Sequence, residues 1–476
     1  MKIKRIIPFV LCLLFSVAAF SQETADDKAG KQTYESVKKS YGIYINEPVL
    51  AEVVSVGRAL EKNLSFTKPI KYFLVDTPDP NAFATLGGYV YVTRGLLSIV
   101  NTRDELAGIM AHEISHVTLH HPRKTTEAHI LPAVLQIPGN IANILTSSKV
   151  GNIVNTPINV IFSVPLASYS RHNEKEADLT GVDLAVKSGF APYGLVCALE
   201  RLEAYVDFLV KEPLHKSIFI DHPMTVDRVA YLTEHLKNLG YERTPDKSGT
   251  NMKSLDGLLY GLNPTYGIVR KDLYVNPLFN FQMTIPEKWE ADITLNTVAS
   301  VSKDKKSMLV FQYDTSSKSI CEMMHKVKSN IKTMKITSVD SNAINGLKAY
   351  RLVVLATQGN LTYDMVWIQL SGKNSYVHIS AVYPTGVSNK DVLDCINSFK
   401  EIQQADITNM YYSTIELKKV ESGKAMELYV PNYTTDTSEV QLMAIFNNTD
   451  AEKPIDASSA YVKVIHKIPL LFYKED

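Results

Sequence analysis

The chain is 476 residues long and 45% hydrophobic, enough for two or three domains that each bury a core. Its 50 Lys and Arg balance its 50 Asp and Glu, so no polyanionic partner is expected, and nucleic acid is set aside.

The first element is a leader. Lys2, Lys4 and Arg5 precede an apolar run from Ile6 to Phe20, and Ala19 and Ser21 are the small residues at minus three and minus one. Cleavage before Gln22 is expected, leaving a soluble protein that is periplasmic or secreted. Cys12 follows Leu11 rather than a small residue, which disfavours a lipid anchor.

Next comes a strand-like stretch at Tyr89-Val90-Tyr91-Val92-Thr93, entered through Gly87-Gly88. Two readings are open for it. An extended peptide substrate could pair along the segment from Asn81 to Val92, with Gly87, Gly88, Tyr89 and Val90 in contact with it. Alternatively the segment is a core strand after a Gly-rich turn.

A helix is expected from about Thr102 to His120. Thr102-Arg103-Asp104-Glu105 has capping-box form, and Leu106, Ile109, Met110, Ile114 and Val117 recur at helical spacing with no Pro before Pro122. Inside it lies His112-Glu113-Ile114-Ser115-His116. Residues four apart share a helix face, so the two imidazoles can bind one zinc ion while the carboxylate of Glu113 reaches water at that ion. This is the pattern of a metallopeptidase site. His120 and His121 are read as charges at a helix C-terminus rather than as ligands.

From Ile130 to Ser170 the one charged residue is Lys149, while Pro132, Pro138, Pro157 and Pro165 interrupt the stretch too often for a membrane span. It reads either as an apolar flap near the cleft, used for substrate or membrane-surface contact (130–170), or as plain core helices. A second amphipathic helix then opens at Arg171. Glu174 and Asp178 stand one turn apart on it, so Glu174 can supply the third ligand that a catalytic zinc site needs while Asp178 orients a liganding imidazole. Glu176 points elsewhere on this helix.

Beyond Tyr241 the character changes. A polar connector over 243–249 leads to strands expected near 279–285, 307–313, 349–356, 363–370 and 376–382, with helical pieces at 320–334 and 390–398 and a Pro286-Glu287-Lys288-Trp289 turn. The last segment has a strand at 415–420, helical middle portions and a strand at 461–465. Of the cysteines left after the leader, Cys197, Cys321 and Cys395, the last two could pair, though buried free thiols are the simpler reading.

Four ordered motifs together resemble one family. Asn81 to Leu97, His112 to His116, Glu174-Lys175-Glu176-Ala177-Asp178, and Asp221-His222-Pro223 with Arg228 six residues after the His resemble the zinc metallopeptidases of the CAAX prenyl endopeptidase and HtpX type, in particular their soluble periplasmic, BepA-like branch. The resemblance covers about residues 35–240. It implies one Zn2+ held by His112, His116 and Glu174, Glu113 as general base, and His222 with Arg228 as donors to the oxyanion. In some relatives the corresponding His instead sits over the zinc and holds the enzyme off, so both roles stay open for His222. Prenylated substrates do not carry over, because the multiple membrane spans of that branch are not seen here.

The expected fold class is α+β. A signal peptide (1–21) is followed by a mostly helical, zincin-like metallopeptidase domain with a small sheet (22–242). An α+β accessory domain (265–402) and a small C-terminal module (412–476) complete the chain. The last is either a LysM-like unit, with glycan contact at the C-terminus, or a plain cap. The function expected is endopeptidase action on unfolded, damaged or stalled envelope proteins. The alternative is a chaperone-like binding or assembly factor on a protease scaffold, with rare cleavage.

Overall fold

A computed structural model describes residues 24–66, 68–121, 169–210, 227–244, 248–295, 297–314, 319, 322, 335–356, 361–371, 375–430, 437–455 and 459–473. Outside the described residues lie the leader, His222, Cys321, all but the last two residues of 130–170, and, Glu322 apart, the helix expected at 320–334. No described helix is long and apolar enough to cross a membrane.

Helices α1 (Ala25–Ser40) and α2 (Glu47–Glu61) each start on a side-chain cap, Thr24 for the first and Asn46, followed by Pro48, for the second. A three-stranded sheet follows, of β1 (Lys71–Val75), β2 (Ala82–Thr85) and β3 (Tyr89–Thr93), in the order β1-β3-β2. Strand β3 runs parallel to β1 and antiparallel to β2. The β2–β3 turn needs Gly87 and Gly88, which sit at φ 76° and 75°. Helices α3 (Arg94–Ile99) and α4 (Arg103–Thr118) come next, then α5 (Arg171–Lys187), α6 (Gly194–Val210) and α7 (Asp227–Asn238).

Helix α4 is the centre of this domain, buried on all sides from Glu105 to Val117. It packs against α2, β2, α5 and α6. Full burial of Leu106, Met110 and Ile114 contributes roughly 1.5–3 kcal/mol for each side chain. The Thr102 hydroxyl caps the helix by accepting from Glu105 N at 3.1 Å. The Glu105 carboxylate does not complete the expected box. It accepts instead from Asn101 N at 2.7 Å and from both terminal nitrogens of Arg201, at 2.5 and 3.0 Å, because the buried arginine of α6 competes for it.

The following region has a core of its own, including Phe281, Phe311, Ile379 and Phe399. Its larger sheet is antiparallel with seven strands: β8 (Glu290–Thr294), β9 (Thr297–Val301), β10 (Met308–Asp314), β11 (Lys335–Asp340), β12 (Ala349–Leu355), β13 (Leu361–Gln369) and β14 (Tyr376–Pro384), ordered β11-β12-β13-β14-β10-β9-β8. A four-stranded sheet lies beside it, formed from β5 (Ile268–Arg270), β6 (Leu273–Asn276), β7 (Phe281–Thr284) and β15 (Lys400–Glu401), with helix α8 (Lys390–Asn397) against β7. Cys197 and Cys395 are both buried, and burial pushes the Cys395 thiol up to about 12. Asp76 ties this region to the first domain, accepting from Arg94 Nε at 2.6 Å, Asn263 Nδ2 at 2.5 Å and Tyr266 OH at 2.6 Å.

The last segment has the expected order of strand, helical turn, helix and strand, as β16 (Tyr411–Lys419), a 3-10 turn at Met426–Leu428, α9 (Thr437–Phe446) and β17 (Tyr461–Pro469). Its sheet takes a third strand, β4 (Leu259–Tyr260), from the connector. It does not bury a core separate from the first domain: Ile415, Met443, Phe446 and Val464 belong to the same apolar cluster as Val53, Leu106 and Leu199. Lys463 of β17 is completely buried, and its Nζ donates to the carbonyls of Ser98, Ile99 and Val100 at 2.6, 3.1 and 3.2 Å. The chain's end therefore caps α3, immediately before the metal-motif helix.

Candidate metal centre

The pairing of α4 with α5 depends on close backbone approach. A Cβ added at Gly181 would lie 2.8 Å from His112 N and 2.9 Å from His112 Cα, so this position on α5 has no room for a side chain. The fit brings Glu174 and Asp178 against the two motif histidines. His112 Nε2 and His116 Nε2 are 3.1 Å apart, and they lie 3.6 and 3.5 Å from the two carboxylate oxygens of Glu174. One donor atom from each of the three buried residues falls within 4.8 Å of the others. Two imidazoles and a carboxylate, all removed from bulk water, form the donor set of a three-ligand zinc site, so the residues fit that ion. Glu113, 2% exposed, is buried on the same helix between the two histidines.

The nitrogens that face away from the cluster are held as well. His112 Nδ1 lies 2.7 Å from Asp178 Oδ1. Asp178 is fully buried and accepts from Arg228 Nε at 2.8 Å, from Arg228 Nη2 at 2.7 Å and from the Tyr231 hydroxyl. Burial works against its charge, but the Arg228 guanidinium and the His112 imidazole outweigh it and hold the carboxyl well below its ordinary range. Burial and then the Asp178 charge push the Tyr231 hydroxyl up, so it stays a donor.

This arrangement gives Arg228 a structural role that was not expected. Its guanidinium is 4% exposed, closes its fork on Asp178 and places Nη1 3.6 Å from Glu174 Oε2. It anchors the two carboxylates of α5, because a buried carboxylate claims a bidentate cation when one is within reach.

The expectation of substrate contact at Gly87, Gly88, Tyr89 and Val90 is corrected to the other reading, a core strand after a Gly-rich turn. Strand β3 is paired on both sides, so it has no edge on which a peptide could be added. A Cβ on Gly87 would meet Asp26 O at 2.9 Å, the Tyr89 ring stacks on Phe73 under Lys71, and Val90 is wholly in the core. The sheet edge that packs on α4 is β2.

The sequence reading missed Tyr231 and His121. Helix α4 ends at Thr118, Leu119 caps it and His120 adopts φ 58°. The reversal sends His121 back beneath the motif, where it is fully buried with Nδ1 2.9 Å from His116 Nδ1. Tyr169 stacks on the His116 ring at 3.9 Å between centroids. Glu176 reaches His121 Nε2 at 3.2 Å.

Residues 49–236 match peptidase family M48. The chain is 31% identical over 191 residues to the beta-barrel assembly-enhancing protease of Escherichia coli strain K12, covering 39% of this chain and 39% of that protein. It is 30% identical over 188 residues to metalloprotease YcaL of the same organism, covering 39% of this chain and 68% of YcaL, and 26% identical over 195 residues to metalloprotease LoiP, covering 40% of this chain and 72% of LoiP. The match thus spans about two fifths of the first relative's length and most of YcaL. With the His112, His116 and Glu174 cluster set inside the matched residues, the chain belongs to peptidase family M48.

Proposed function

We propose that the chain is an exported zinc-dependent endopeptidase that hydrolyses peptide bonds of unfolded, damaged or stalled envelope proteins. The observation that carries this reading is the convergence of His112 Nε2, His116 Nε2 and the Glu174 carboxylate in one buried cluster on the helix that also bears Glu113. When bound there, zinc supplies Lewis acidity that polarises a substrate carbonyl and acidifies water. A carboxylate oxygen of Glu113 takes the proton from the attacking water and passes it to the leaving amine. Asp178 and Arg228 keep His112 and Glu174 oriented through the reaction. An extended substrate adds along the β2 edge through main-chain hydrogen bonds, which leaves side-chain preference loose. His222 is proposed to donate to the oxyanion, with the off-switch over zinc as its opposite role. The envelope as site of action is supported by the leader and by a relative named for enhancing beta-barrel assembly.

The test is to incubate the zinc-loaded chain with unfolded casein and with a tightly folded protein of similar size. Cleavage of the first alone, lost to a chelator and regained with zinc, is expected. Zinc bound one to one with no cleavage of any unfolded protein would overturn the proposal in favour of a binding role.

A further inference from the structure

The two motif histidines turn Nε2 toward each other and toward Glu174, and their Nδ1 atoms meet different partners. For His112 the partner is the Asp178 carboxylate, at 2.7 Å. For His116 it is another imidazole, His121, at 2.9 Å, and this ring continues to Glu176 Oε2 at 3.2 Å. His121 is wholly buried, whereas the Glu176 side chain is 40% exposed, so the line of contacts runs from the cluster to the surface.

Proton placement gives that line one consistent direction. A histidine that offers its Nε2 lone pair to a cation keeps its proton on Nδ1 and must donate there. His121 Nδ1 then has to accept, which leaves the His121 proton on Nε2, facing Glu176. Each contact becomes a donor meeting an acceptor, and the negative end lies at Glu176. Reversing the tautomer of either ring alone would set two N–H groups or two lone pairs against each other at 2.9 Å.

The backbone is shaped to make this contact. On an uninterrupted helix, His121 would stand roughly 140° around the axis from His116. The left-handed turn at His120 brings it back instead, and Tyr169, stacked 17° from parallel on His116, fixes the plane of the ring that donates.

We infer that His121, backed by Glu176, is a positioning residue for His116: it fixes the His116 tautomer and ring orientation for a divalent cation at Nε2, as Asp178 does for His112. This rests on the zinc site proposed above.

The experiment measures zinc affinity of the full chain by chelator competition, together with the visible absorption of the cobalt-substituted protein. His121→Phe keeps the ring and removes its nitrogens. It should weaken zinc binding roughly 10–100-fold and alter the cobalt spectrum. His121→Asn puts a side-chain oxygen near the position of Nδ1 and should recover most of the affinity. Glu176→Ala should show a smaller loss in the same direction, while the metal-free protein melts as wild type does. Affinities within twofold of wild type for both His121→Phe and Glu176→Ala would overturn the inference, as would His121→Asn binding no better than His121→Phe. If His121→Phe does not fold, Glu176→Ala carries the test: weakened zinc binding there, beside near wild-type affinity in His121→Asn, is expected, and wild-type affinity in Glu176→Ala overturns the role of the pair. A wild-type chain that binds no zinc would overturn the site itself, a result distinct from an intact site indifferent to His121.

Discussion

Replacing Arg228 by Met distinguishes an anchor for the α5 carboxylates from a donor to the reacting oxygen. In the structure the guanidinium closes on Asp178 through two hydrogen bonds of 2.8 and 2.7 Å and is 4% exposed. Removing one member of a buried ion pair costs about 3–5 kcal/mol, because the other charge stays buried without its partner. At about 2–4 °C per kcal/mol for a domain of roughly 150–250 residues, the metal-free protein should melt about 6–20 °C lower. Asp178 would also hold His112 less firmly, weakening zinc binding roughly 10–100-fold. The pH dependence has a definite sign. The folded-state carboxyl of Asp178 is depressed, so its stabilisation is present above the ordinary carboxylate pKa of about 3.9 and is lost as pH falls toward the folded value. The melting difference between wild type and Arg228→Met should therefore narrow progressively below about pH 4. Adding Asp178→Asn to the variant removes the stranded charge and should recover part of the lost stability. Scanning fluorimetry in chelator and zinc competition supply the readouts. An oxyanion donor would behave differently, costing 10²–10³-fold in kcat while leaving melting and zinc affinity unchanged. That pattern would refute the anchoring role.

Three further outcomes follow from the packing. Gly181→Ala should lower both melting temperature and zinc affinity, because the new Cβ meets the His112 backbone at 2.8 Å and outweighs a helix-propensity gain of about 1 kcal/mol; a higher melting temperature with zinc binding intact would contradict the close-approach argument. Phe446→Ala in the C-terminal segment should destabilise the peptidase domain by about 3–5 kcal/mol, since the ring lies in the shared core, and thermal loss of peptidase activity should move to lower temperature with it; an unchanged activity profile would show the segment to be independent. Zinc at about a hundred times its dissociation constant should stabilise the folded chain by about 2.7 kcal/mol over the chelated form, and a melting temperature indifferent to zinc would argue against a site formed only on folding.

The chemistry-bearing residues of the site were legible in the sequence to the extent that helix periodicity reveals them. Spacing of four places His112 with His116 and Glu174 with Asp178, and these pairs are on facing helices in the fold. Contacts made across long sequence separations were not legible. Arg228 reaches Asp178 from fifty residues away, where a local pattern leaves its partner open. The central position of β3 arises from a parallel pairing with β1 that alternation of β-formers does not encode. His121 was hidden for a local reason: a helix continued through His120 turns it away from His116, and only the positive φ of His120 brings it back. The C-terminal segment announced its element order, but the burial of Lys463 against Ser98, Ile99 and Val100 depends on a docking that spans most of the chain.

The most direct test of the central claim compares zinc content and casein cleavage in wild type and Glu113→Gln. If Glu113 is the base beside a cation held by His112, His116 and Glu174, the variant should retain one zinc per chain and lose cleavage by 10²-fold or more, the scale of general-base catalysis. A variant that keeps its zinc and cleaves casein at the wild-type rate would contradict the account.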